Sequence, residues 1–179
     1  MFRHASQPGC LETPVTYLDV PRKHYKSDLI SDPCYMWLGL DRIHALTLVR
    51  PYSLLIQFNT TSGLWGEALY NDFSVGDESS GYSLSIYGFT GKGVAGDAFK
   101  LTILHETLNG ATFCAKDTCP EAINQCAADN KGAWWSREDT ECVGTPHNGN
   151  NILCPQSESL TPCLDYVMWL IPNEISCCV

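Results

Sequence analysis

The chain has 179 residues, with 11 Lys+Arg against 20 Asp+Glu, a formal charge of -9 and 10 Cys. That length suits a single domain with a real hydrophobic core, and 44% hydrophobic with 17% charged residues is globular composition, not that of a disordered tail. The acidic balance excludes a phosphate-backbone partner, because nucleic-acid binders concentrate Lys and Arg, and about one cysteine in eighteen residues points to an oxidising, extracellular setting.

The opening MFRHASQPGC has no apolar run of signal-peptide length. The apolar stretch 166–171 is too short to span a bilayer, so no membrane insertion is expected. An extracellular cysteine content without an export signal leads to the expectation that the N-terminus is incomplete. No repeat or low-complexity segment is visible. The first thirty-odd residues scatter Pro8, Pro14, Pro21 and Pro33 among charged groups and read as extended or loop structure packed on something else. From Trp37 the spacing of Leu38, Leu40, Ile43, Leu46 and Leu48 predicts a short helix around WLGLDRIHAL.

Strands follow. Over 52–59 one face reads Tyr52, Leu54, Ile56, Phe58, the alternation of a half-buried strand. A polar turn over 59–63 leads to a second strand over 64–73, and a second turn over 77–81 leads to Tyr82, Leu84 and Ile86, alternating with polar neighbours. Closely spaced strand–turn units indicate an antiparallel meander rather than a doubly wound parallel sheet. Beyond Gly91 the chain turns rich in Gly, Asn, Asp and Cys, the texture of loops held by disulfides, buried aromatics or an ion.

A series of motifs in order resembles the fibrinogen C-terminal domain family, which includes ficolins, tachylectins and angiopoietins. It runs through Trp37-Leu38-Gly39-Leu40-Asp41-Arg42-Ile43-His44-Ala45-Leu46-Thr47, Ala68-Leu69-Tyr70-Asn71-Asp72-Phe73-Ser74-Val75-Gly76, Gly88-Phe89-Thr90-Gly91 and Ala95-Gly96-Asp97-Ala98-Phe99. It continues through Leu108-Asn109-Gly110, Lys116-Asp117, Cys126-Ala127, Gly132-Ala133-Trp134-Trp135, Cys142, Asn148-Gly149 and Ile171-Pro172. The resemblance implies an α+β fold: an antiparallel twisted central sheet with short flanking helices and a loop-rich, disulfide-held C-terminal lobe. It divides the chain into a divergent N-terminal segment, 1–33, and the domain proper, 34–179, with the sheet over about 34–105 and the ligand lobe over about 106–179. Most of the family's N-terminal lobe has no counterpart before Trp37.

The same resemblance implies a calcium loop beside a ligand pocket. Asp117 matches the loop's first acidic ligand, but its second acidic position is Cys119, whose sulfur is a poor calcium ligand, and only Glu121 offers a shifted carboxylate. The expectation is therefore a turn in which Asp117 accepts local N–H bonds, not an intact calcium site. Cys126 and Cys142 correspond to the family's paired cysteines, with the Gln125–Cys126 peptide cis by resemblance. The family's pocket histidine is replaced by Val143, and His147 stands nearby at a position the motif fills with an apolar residue. Trp134 and Trp135 have two readings, a platform for the apolar face of a sugar or rings that fill the core, and the second is favoured.

The other eight cysteines include Cys114 and Cys119, expected to form an extra bridge in place of the ion, and the adjacent Cys177 and Cys178, which suggest links to another chain and a homo-oligomer. No short CxxC pairs support zinc. Asn59-Thr60-Thr61 is an N-glycosylation sequon at a hairpin end. No nucleophile–base signature assembles around His44, His105 or His147, so the chain is not expected to be an enzyme. The reading is a secreted, lectin-like recognition or adhesion domain that binds a glycan or extracellular protein through its C-terminal loops. The alternative is a structural, matrix-associated module with a degenerate pocket.

Overall fold

The computed structural model describes residues 2–5, 20–27, 29–32, 35–100, 107–119, 133–137, 147–148, 151–155 and 160–174. Its frame is an antiparallel sheet in the order β2 (Leu29–Asp32), β3 (Tyr35–Trp37), β1 (Phe2–Ala5), β11 (Leu160–Pro172), β4 (Tyr52–Thr60), β5 (Trp65–Val75) and β6 (Leu84–Gly93), with β10 (Asn151–Pro155) on β11 and β9 (His147–Asn148) on β10. The central meander forms as its alternation predicts. In β4 (Tyr52–Thr60), Tyr52, Leu54, Ile56 and Phe58 point inward and are buried, while Gln57 and Asn59 face solvent. In β5 (Trp65–Val75) the inward set is Ala68 and Tyr70, then Phe73 and Val75. The three-residue step from Tyr70 to Phe73 breaks the period of two, and the ladder accommodates it with a register shift between Tyr52↔Phe73 and Leu54↔Tyr70. The step recurs in β6 (Leu84–Gly93), where Ile86 pairs with Phe73 and Phe89 with Tyr70 around Gly88, whose φ is +73°.

Helix α2 (Leu40–Val49) starts three residues later than its apolar spacing suggests. Gly39 ahead of it has φ +96°, a left-handed conformation that ends the preceding strand and admits glycine without strain. Trp37 therefore belongs to β3 (Tyr35–Trp37), which pairs with β1 (Phe2–Ala5) and β2 (Leu29–Asp32). Leu40, Ile43 and Thr47 form the buried face of α2. Its docking onto the end of β5 is polar: His44 Nδ1 donates to the Val75 carbonyl at 2.8 Å, and the Val75 N–H donates to Thr47 Oγ1 at 3.3 Å. His44 is thus a structural hydrogen-bonding residue.

The first segment and the last both enter the main sheet. Strands β1 and β2 extend it at one side. Strand β11 (Leu160–Pro172), inside the stretch expected to be a loop-rich lobe, lies at the sheet's centre between β1 and β4. Tyr166 and Met168 are buried opposite Phe58 and Ile56, and the period was hidden because the outward residues Val167, Trp169 and Ile171 are apolar too.

Aromatic rings fill the space beneath the sheet. Trp135 packs edge-on against Phe113 at 5.1 Å and Phe73 at 6.5 Å, and Trp37 reaches it at 6.5 Å. Tyr25, from the short helix α1 (Arg22–Lys26), touches Trp37 and Phe113. The polar tips are satisfied: Trp37 Nε1 donates to the Tyr25 carbonyl at 2.9 Å, and Trp135 Nε1 to the Tyr82 carbonyl at 2.8 Å. Tyr70 OH donates to Asp97 Oδ1 at 2.8 Å and accepts from the Ala98 N–H at 2.8 Å, which ties the 95–99 loop to β5.

Two outcomes test this packing. Met168→Ala lowers the unfolding free energy by about 2–5 kcal/mol, whereas Trp169→Ala on the opposite face costs less than about 1 kcal/mol, measured by urea denaturation. Burial first, then the Asp97 charge for Tyr70 and the Asp41 hydrogen bond for Tyr82, raise the phenol pKa of both tyrosines, and burial alone raises that of Tyr166. Since the folded values lie above the unfolded value of about 10, the stabilisation is complete below that pH and falls as pH rises above it. Phenolate absorbance from these three rings should appear together with loss of the circular dichroism signal, not before it.

Candidate functional site

Strands β7 (Thr112–Cys114) and β8 (Trp134–Ser136) form a separate two-stranded sheet, with Phe113 opposite Trp135 and Cys114 opposite Trp134. Successive side chains of a strand point to opposite faces, yet both tryptophans are inside: Trp135 is 0% and Trp134 4% exposed. Trp134 stacks on Phe99 at 5.8 Å and meets Trp135 edge-on at 5.1 Å, joining the ring cluster under α2 to the one around Tyr70. Neither ring offers a face to solvent, and both belong to the hydrophobic core.

Beyond β7 the chain makes a turn closed by a disulfide between Cys114 and Cys119, with Cα atoms 4.8 Å apart. Inside it, the Thr118 and Cys119 N–H groups donate to the Ala115 carbonyl at 2.9 and 3.1 Å, and the Ala115 N–H donates to Thr118 Oγ1 at 3.1 Å. Asp117 is exposed, and its Oδ1 accepts the Arg22 N–H at 2.8 Å, so its carboxylate closes the open end of helix α1 across 95 residues. Of the donors that the resemblance implies, Cys119 is committed to a sulfur–sulfur bond, Asp117 Oδ1 accepts a backbone N–H, and Glu121 lies outside the described residues. Among the described residues no group of three or more His, Cys, Asp or Glu side chains is placed to hold a metal.

Glu121, Gln125, Cys126, Cys142 and Val143 lie outside the described residues, as does the Gln125–Cys126 peptide. His147 falls in β9 (His147–Asn148), opposite Ile152 in β10 (Asn151–Pro155), and only positions 149–150 separate the two strands. A second disulfide, Cys154–Cys163, closes the β10–β11 hairpin, with its Cα atoms 5.2 Å apart. Asn59 is exposed at the end of β4, next to the turn in which the Thr60 N–H donates to the Leu64 carbonyl at 2.7 Å.

Sequence reasoning passed over one feature. The outward face of the sheet carries a cleft of about 340 Å³ lined by Gln57, Asn59, Trp65, Glu67, Asp165 and Val167, among others. Across it runs a hydrogen-bonded row: Trp169 Nε1 donates to Gln57 Oε1 at 3.0 Å, Gln57 Nε2 to Glu67 Oε2 at 3.0 Å, and Lys92 Nζ to Glu67 Oε1 at 2.7 Å. These hydrogen bonds, that of Lys92 first and then that of Gln57, hold the Glu67 carboxyl below its ordinary pKa. In the sequence the signal of this cleft is the outward half of the β4 alternation, Gln57 and Asn59.

The bridge in the 114–119 turn gives a direct test. A Cys114→Ser/Cys119→Ser variant should lose about 2–3 kcal/mol of stability, the loop-closure value for so short a ring. Added calcium should restore none of it, as measured by thermal denaturation with calcium and with chelator.

The sequence profile described as "Fibrinogen beta and gamma chains, C-terminal globular domain" matches residues 23–171. Fibrinogen C domain-containing protein 1 of Xenopus tropicalis is 37% identical over 107 residues, 56% of this chain and 22% of that protein. Ryncolin-4 of Cerberus rynchops is 32% identical over 130 residues, 71% of this chain and 36% of the relative. The chain thus spans between about a fifth and two-fifths of the length of these relatives. Among solved structures, the fibrinogen-like globe domain of human ANGPTL2 superposes with a TM-score of 0.73 at 24% identity, covering 97% of this chain and 79% of that one. That of human ANGPTL6 gives 0.72 at 21%, covering 97% and 77%. With its antiparallel sheet, short helices and disulfide-closed turns, the chain belongs to the family of fibrinogen C-terminal globular domains, which are non-enzymatic and typically serve as ligand-binding recognition modules.

Proposed function

We propose that this chain is a secreted recognition or adhesion domain that binds a glycan or an extracellular protein through its C-terminal loops, and that it does so without calcium. The observation that carries the second half is the 114–119 turn. Its shape is held by a covalent bond and by hydrogen bonds to Ala115 and Thr118, which do the positioning that a cation would otherwise do. Two disulfides and the family are consistent with an extracellular location, and among the described residues no helix is long and apolar enough to cross a membrane.

The ligand contacts are assigned to the loops on either side of β8, with Gln125, Cys126 and Val143 as the residues at the pocket, Cys126 and Cys142 as its disulfide, and Glu121 and His147 at its border. These segments adjoin the two ends of β8 in the chain, where the buried Trp134 and Trp135 supply a rigid base. Val143 in place of a hydrogen-bonding side chain favours a ligand with an apolar group at that point. A peptide belongs among the ligands to be tried, since the lamprey fibrin D-dimer, with which this chain shares its fold at a TM-score of 0.69 and 16% identity, is complexed with Gly-His-Arg-Pro-amide.

The test is binding of the secreted chain to arrayed glycans, to matrix proteins and to that peptide, in calcium and in chelator. Binding is expected to persist in chelator, and Val143→Asp is expected to weaken it at least tenfold while leaving the melting temperature within about 2 °C. Absence of binding to all three panels, with disulfide-linked oligomers on non-reducing gels, would replace this reading with that of a structural module.

A further inference from the structure

The outward cleft of the main sheet brings together two features that neither the family fold nor the C-terminal loops require. Asn59, the first residue of the Asn59-Thr60-Thr61 sequon, is exposed, and Trp65 is its direct cross-strand partner in the β4–β5 ladder. Residues directly opposite on antiparallel strands present their side chains on the same face, with Cβ atoms about 4.5–5.5 Å apart, and both line the cleft. Trp65 is 55% exposed. Its indole lies beside Gly93, where an added Cβ would come within 3.2 Å of Cδ2, so the absence of a side chain there leaves the ring room. The lining also includes Gln57, Glu67 and Asp165, beside the apolar Phe58 and Val167.

A half-exposed tryptophan bordered by amide and carboxylate groups has the chemistry that a pyranose ring matches. The sugar's C–H face lies on the indole, and its hydroxyl and acetamido groups meet the polar rim. We propose that this cleft is the seat of an N-linked glycan carried by this chain, with the N-acetylglucosamine attached to Asn59 lying on the indole of Trp65. Attachment transfers an oligosaccharide from a lipid diphosphate donor: the bond from the sugar C1 to phosphate oxygen breaks, a bond from C1 to Asn59 Nδ2 forms, the amide nitrogen gives up one proton, and the lipid diphosphate leaves. The direct opposition of Asn59 and Trp65 selects this occupant over a free saccharide, because the covalent link holds the first sugar beside the ring at high effective concentration. The inference rests on the proposed secretion, which the test supplies.

The chain is secreted from insect cells behind a heterologous leader in four forms: unaltered, Thr61→Ala, Trp65→Ala and the double variant. Thr61 is exposed in the turn, so its replacement removes the sequon without disturbing the core. Peptide mass spectrometry is expected to find Asn59 occupied in the two forms that keep Thr61. Loss of the glycan through Thr61→Ala should lower the melting temperature by about 2–4 °C when Trp65 is present and by less than about 1 °C when it is absent. Acrylamide quenching should also be weaker in the glycosylated protein, since Trp37, Trp134 and Trp135 are buried and Trp65 is one of only two exposed tryptophans. A bare Asn59, an equal temperature drop in both backgrounds, or quenching that ignores the glycan would overturn the proposal. None of these outcomes bears on array binding through the C-terminal loops, so the two readings fail separately.

Discussion

The structure depends above all on the pairing of β11 with β4. These strands run antiparallel from Cys163↔Thr60 to Pro172↔Tyr52, and their inward residues Tyr166 and Met168 close on Phe58 and Ile56 with almost no exposure. The pairing joins positions more than a hundred residues apart in the chain and closes nearly the whole domain into one unit, with β1 on one side and the β4–β5–β6 meander on the other. Such long-range closure is entropically costly and must be repaid by the area it buries. Here the repayment falls on a few large side chains, together with the Cys154–Cys163 bridge that fixes the hairpin leading into β11.

On that sheet sits a ring cluster that positions the two-stranded sheet of β7 and β8. Trp135 is its hub, touching Trp37 from β3, Phe73 from β5, Phe113 from β7 and Trp134 beside it. Each partner comes from a different element, so the cluster fixes the two-stranded sheet against the main sheet. Helix α1 is clamped at both ends of the same arrangement, by Tyr25 between Trp37 and Phe113 and by Asp117 at the Arg22 N–H. Asp117 therefore has work in the fold that competes with any role in holding a cation. The Cys114–Cys119 bridge fixes the shape of the same turn covalently.

The two faces of the main sheet follow different rules. The inner face is apolar and closed. The outer face mixes Trp65, Trp169, Leu55 and Val167 with a hydrogen-bonded row from Trp169 through Gln57 and Glu67 to Lys92. An antiparallel sheet tolerates solvent on one side, and the charged row across four strands keeps this side from reading as bare apolar surface.

Much of this was legible along the chain. Tyr52, Leu54, Ile56 and Phe58 announced β4 because a strand with one wet face must alternate, and the ordered motifs from Trp37 to Pro172 carried the fold. The sequence also showed that Cys119 cannot serve calcium as an acid would, since a residue's ligand chemistry is local. What it did not show were the facts that depend on distant partners. Strand β11 escaped notice because Val167, Trp169 and Ile171 erase its alternation, and only its neighbours β1 and β4 say which half is buried. The partners of Trp134 and Trp135, Phe99 and Phe113, come from other parts of the chain, so spacing favours a buried pair but does not say what packs on it. That Asp117 meets Arg22, and Asn59 meets Trp65, was settled by tertiary contact and strand register, because composition and spacing determine what a side chain can do and only the closed fold determines what stands opposite it.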